Sequence, residues 1–235
     1  MGKILLIAVA CVAPSLFLLT YIYFKKEREY REPLRCVAPA FSCGMIAAPI
    51  AYFIFEGMTH LPYYSKLSRI WLVNDQKELF AYIMFAVAPV EELLKFTAIW
   101  VSVFRMRDFD QPADGIVYSS TAALGFAAVE NWYFMWFVED VIWTRAVTLP
   151  FNHILFSSFI GYGLGVSIVS NRWRFRIVLI GLMLSIIYHG LYDYILLNEQ
   201  ISDFFIIPFV LLLWFWMTTV FGKLQNMKHL KRAYW

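Results

Sequence analysis

The sequence predicts an all-α fold, a polytopic transmembrane bundle of about seven spans forming one membrane domain over 1–235. Three observations lead there. The chain is 61% hydrophobic and only 16% charged, where soluble domains are roughly 45–50% apolar and about 25% charged. Its apolar residues come in blocks of about twenty, the length a helix needs to cross a bilayer core. Its lysines and arginines gather in alternate connections between those blocks.

The blocks are 4–24, 36–55, 79–104, 115–137, 146–170, 177–197 and 204–221. The first follows Lys3 and ends at KKEREYREPLR without an A-x-A-like cleavage site, so a retained helix is expected, not a signal peptide. The basic connections are 25–35 (Lys25, Lys26, Arg28, Arg31, Arg35), 105–114 (Arg105, Arg107), 171–176 (Arg172, Arg174, Arg176) and the tail (Lys223, Lys228, Lys231, Arg232). They share one side of a seven-span arrangement, whose other side holds Lys3, Lys66, Arg69, Lys77 and Arg145. The positive-inside bias then places the N-terminus outside and the C-terminus in the cytoplasm. The long outer connection 57–78 is aromatic enough for an interfacial helix or lid. Cys11, Cys36 and Cys43 have neither zinc-site spacing nor a disulfide framework. Cys36, at a membrane edge, has the placement of an S-acylated cysteine.

Seven ionisable side chains interrupt four consecutive spans: Glu91, Glu92 and Lys95, then Glu130, then His153, then His189 and Asp193. Such groups are costly in hydrocarbon and usually face a bundle interior or a wet cavity. Glu91 and Glu92 precede Lys95 by four and three residues, so both carboxylates reach one ammonium on a helix. That leaves one negative charge in excess, which a purely structural pair does not need. Gly181, Ser185, His189 and Asp193 share one helical face, as do His153, Ser157, Gly161 and Gly165. Small residues at this spacing let helices approach closely, so the fifth and sixth spans should pack with their histidines at one end. At about 1.5 Å per residue, Glu130, His153 and His189 lie roughly 10–12 Å from the outer ends of their spans. Pro89, two residues before the glutamates, removes a backbone hydrogen bond and should kink the helix.

A carboxylate beside two histidines in a wet intramembrane cavity suits water activation. Histidine and carboxylate ligation is typical of zinc, with an open fourth position in catalytic sites. The soluble H-E-x-x-H motif is absent, so any ligands come from separate helices and spacing alone does not establish a metal.

The set EELLK (91–95), FAAVE (126–130), His153 and HGLYD (189–193) resembles the E-E-x-x-K, F-x-x-x-E, H and H-x-x-x-D pattern of the PrsW family of bacterial intramembrane proteases, relatives of the CAAX-protease/Abi superfamily. The resemblance covers 79–197, the expected catalytic core. It implies a multi-pass protease of the bacterial cell membrane that cuts a single-span anti-sigma factor on its extracytoplasmic side. That cut would be the site-1 step of regulated intramembrane proteolysis under envelope stress. It implies Glu91 and Glu92 as the catalytic pair, with Glu91 as general base. His153 and His189 become metal ligands or oxyanion stabilisers, Glu130 and Asp193 further ligands or supports, and Lys95 tunes the glutamates. A zinc ion held by His153, His189, Asp193 and Glu130 and a metal-free glutamate mechanism both remain open. No nucleic-acid partner is expected. Two other classes compete. A bis-histidine haem protein would use His153 and His189 as axial ligands but leaves the acidic residues unexplained. A proton- or ion-coupled transporter would use the same residues as a relay but lacks a mirrored set in the other half of the chain.

Overall fold

The computed structural model describes residues 12–20, 32–61, 75–137, 142–170 and 174–227. Every regular element among them is helical. Residues 12–20 belong to α1. Then come α2 (Leu34–Thr59), α3 (Gln76–Tyr82), a π turn (Ile83–Val87), α4 (Ala88–Ser102), α5 (Pro112–Phe137), α6 (Ile142–Ser167), α7 (Arg174–Leu197), a 3₁₀ turn (Asp203–Phe205) and α8 (Ile206–Asn226). Each described helix falls on an expected block. The first block is described only over 12–20, and most of the expected lid, 62–74, lies outside the described residues.

By length and composition, α2, α7 and α8 are apolar enough to cross a membrane. α5 and α6 have the length, 26 residues each, but carry Glu130, Arg145 and His153. α8 exposes Ile207, Leu211, Leu212 and Phe215, a surface that suits lipid contact.

Successive helices alternate in direction. The C-terminal halves of α2, α5 and α7 meet the N-terminal half of α6 around one cavity. At the other end the start of α2, the 103–111 connection and the start of α5 come together through Arg35, Asp108 and Tyr118. Close approach depends on glycine. A Cβ on Gly44 would lie 2.0 Å from the Ala122 carbonyl oxygen, and one on Gly125 2.1 Å from that of Phe41, which seats α2 against α5. Gly161 and Gly165 pack on Gly115 and Pro112 of α5, while Gly163 meets Gly181 of α7. The fifth and sixth expected spans therefore do touch, through the residue between the G-x-x-x-G pair.

α3, the π turn and α4 run on as one helix from Gln76 to Ser102. Asp75 caps it, accepting from Lys77 N at 2.8 Å. In the wide turn the Ala88 N–H reaches back five residues to the Ile83 carbonyl. The wide turn ends two residues before Pro89, one turn before the glutamates. Single π turns often mark functional sites in helices. Cys36 is fully buried, its Sγ 3.4 Å from Met106 Sδ. An acyl chain there would need the side chain turned out of the core.

Candidate active site

The seven ionisable residues come together where α4, α5, α6 and α7 converge. Lys95 has no exposed surface. Its Nζ lies 2.7 Å from Glu92 Oε1, 2.7 Å from His153 Nδ1 and 3.5 Å from Glu91 Oε2. It also sits 4.5 Å from the ring centroid of Phe126, the aromatic of the FAAVE segment. An ammonium offers only donors, so His153 Nδ1 accepts. The ring proton is then on Nε2, which faces Glu130 Oε2 at 2.8 Å. Arg145 Nη2 holds the other oxygen of Glu130 at 2.7 Å.

The two adjacent glutamates differ. Glu92 is completely buried and saturated: Lys95 and His189 Nδ1, at 2.8 Å, donate to Oε1, and Ser185 Oγ donates to Oε2 at 2.5 Å. Glu91 is held loosely, 3.5 Å from Lys95 and 3.8 Å from His189 Nε2. It lines the cavity, and Glu92 does not. Their separation follows from helix geometry, since neighbouring residues point about 100° apart. His189 Nε2 lies 3.2 Å from Asp193 Oδ2, so both its nitrogens face carboxylates. Phe156 stacks on its ring at 5.0 Å and 11°.

The cavity has a volume of 840 Å³. Its floor is Glu91, Glu130, His153, His189 and Asp193; its upper walls include Tyr52, Phe53, Trp132 and Leu149. Phe53 is 69% exposed and Trp132 48% exposed, so the walls reach the outer surface of the bundle. A polar floor under apolar walls is the usual build of a ligand site.

Among the described residues, Glu91, Glu130 and His153 bring ligand atoms within 4.8 Å of one another. Two carboxylates and an imidazole at that separation fit a zinc-type site with room for water. This set shares Glu130 and His153 with the expected one and has Glu91 in place of His189 and Asp193. The charge balance fits too. Among the described residues, the carboxylates of Glu91, Glu92, Glu130 and Asp193 meet two fixed cations, Lys95 and Arg145. A buried cluster with that deficit favours a divalent cation or added protons. To bind a metal, His153 Nε2 must give up the proton that it shares with Glu130.

Two contributors are not singled out by the sequence pattern. Ser185 shares the His189 face, where a small residue reads as packing. Arg145 borders a loop in the sequence but lies on α6, eight residues before His153. The arrangement lends the haem reading no support, because the nitrogens of both histidine rings face other side chains.

Residues 32–221 match the family described as "PrsW family intramembrane metalloprotease". Among curated proteins, the chain is 31% identical to Protease PrsW of Geobacillus kaustophilus over 87% of its length and 86% of that protein's. It is 29% identical to Protease PrsW of Oceanobacillus iheyensis, covering 87% and 89%. It is 27% identical to Protease PrsW of Bacillus subtilis, again covering 87% and 89%. No solved structure matches.

Proposed function

Because the chain belongs to the PrsW family of intramembrane metalloproteases and is a protease of the membrane, we propose that it cuts a single-span membrane protein, with an anti-sigma factor the expected substrate, on its extracytoplasmic side. This is the site-1 step of regulated intramembrane proteolysis. The observation that carries the reading is the split between the glutamates: Glu91 opens on the cavity while Glu92 is saturated behind it.

Glu91 acts as general base on a water at the cavity floor. Its loose contacts leave the carboxylate able to take a proton. Glu92 orients His189 through Nδ1, and Asp193 steadies the other nitrogen. To donate a hydrogen bond to the oxygen of a scissile carbonyl, the Nε2–H of His189 must turn from Asp193 to the substrate. Glu130 and His153, beside Glu91 on the cavity floor, would hold the metal that the family description implies, leaving the Glu91 carboxylate free to act as base. Bound there, it would supply Lewis acidity and a more acidic water. Lys95 supplies the charge that holds Glu92 and His153 in register.

The test is cleavage of a tagged single-span substrate in membranes carrying the wild type, H189A or E91A, with insertion checked for each. Loss of the cleaved fragment in both variants is expected, and unchanged cleavage by inserted protein would sink the proposal. Treating the purified enzyme with a chelator should release stoichiometric zinc and stop cleavage, and added zinc should restore it. Full activity at zero zinc content would remove the metal from the scheme and leave Glu91 to work alone.

A further inference from the structure

We propose that Arg145 is a positioning residue of this active site, fixing Glu130 and, through it, the imidazole of His153. The inference rests on the protease reading above. Arg145 belongs to none of the four motif segments. It grips Glu130 Oε1 at 2.7 Å while His153 holds Oε2 at 2.8 Å. A carboxylate carried by α5 is thus held on both oxygens by two residues of α6.

The guanidinium is itself confined. Its central carbon lies 3.6 Å from the Phe134 ring centroid, a stacking distance. Its Nε is buried and has no acceptor among the described residues. The stacking on Phe134 and the bond to Glu130 together fix the plane of the guanidinium.

The local charges explain why the clamp is needed. Ligand atoms of Glu91 and Glu130 approach within 4.8 Å. Lys95 is committed to Glu92 at 2.7 Å and stands off at 3.5 Å from Glu91. Arg145 is the second cation that lets both carboxylates point into one cavity. Without it, repulsion would turn Glu130 away and break its bond to His153. A lysine at 145 would keep the charge and lose the flat face that stacks on Phe134.

The test uses full-length protein in detergent with a tagged single-span substrate, as wild type, R145Q, R145K, F134L, E130Q and the R145Q/E130Q double variant. R145Q should lower kcat by about 10–100-fold, the scale of a small misplacement of catalytic groups. KM should stay within about threefold, because the loss is not one of substrate binding. R145K should recover part of the rate, and the double variant should be no slower than E130Q. Histidine-selective ¹⁵N NMR gives a readout free of activity. The ring signals of His153 should move alike in R145Q and E130Q, although Arg145 bonds Glu130 and not His153. Unmoved His153 signals, unchanged kcat in R145Q, or additive losses in the double variant would overturn the proposal. If R145Q does not fold, R145K and F134L carry the same comparisons with smaller expected losses. A wild type that cuts no membrane substrate defeats the protease reading, and the His153 signals still decide this one.

Discussion

At one end of the bundle Arg35 meets Asp108 at 2.6 Å with the arginine side chain 74% exposed, and Tyr118 donates to buried Glu32. At the other end, wholly buried Lys95 is shared among Glu92, Glu91 and His153, and the cluster looks onto 840 Å³ of space. The first pair is one cation to one carboxylate at the membrane edge. In the second, carboxylates outnumber cations, and the surplus oxygens face the cavity. Burial and charge alone therefore do not mark a site. Incomplete pairing directed at an open volume does.

The comparison can be broken first at its most open point. Replacing Glu91 with Gln should lower cleavage by about 10²–10⁴-fold, the usual share of a general base, with little change in thermal unfolding. The same change at Glu92 should cost both activity and unfolding temperature, because it strands Lys95 and His189. If the two variants behave alike in both measurements, the division of labour between them is wrong. A second break removes the shared cation. Lys95→Met leaves Glu92 buried without its partner, which should destabilise the fold by about 3–5 kcal/mol in a denaturation series. A loss under about 1 kcal/mol would mean that the cluster does not depend on the ammonium.

The smallest effect is expected at the opposite end. The hydrogen bond from Arg35 holds the Asp108 carboxyl below its ordinary value. A lowered folded-state value stabilises at neutral pH, and that contribution is lost as pH falls through it. Asp108→Asn should therefore slightly lower the unfolding temperature at pH 7, and the difference from wild type should vanish in acid. Cleavage should be unaffected, and a defect there would mean that the two ends are coupled.

Much of this was legible in the sequence because lipid imposes length. The block 177–197 became α7 from Arg174 to Leu197, and 115–137 became α5 from Pro112 to Phe137. Glu91, Glu92, Lys95, Glu130, His153, His189 and Asp193 were found because each is expensive in an apolar segment. What spacing could not supply is how the helices are rotated against one another. That rotation makes Glu91 open and Glu92 closed, and puts Gly163, not Gly161 or Gly165, against α7. It also brings Arg145, which sequence position assigned to a loop, onto Glu130. The orientation of the bundle in the bilayer still rests on the distribution of lysine and arginine.

The π turn at Ile83–Val87 is slack in the chain, the place in this helix where a change of length costs least. A π turn holds one residue more than the α-helical turn it replaces. Deleting a single residue between 83 and 87 would let an ordinary α-helical turn form there, and the parts before and after it would keep their relative rotation. Glu91 could then go on sharing a wall with Tyr82, as it now does. In a purely α-helical stretch such as α5, the same deletion would turn everything after it by about 100° relative to everything before. One missing codon would be absorbed at the wide turn and would silence the enzyme in the helix beside it.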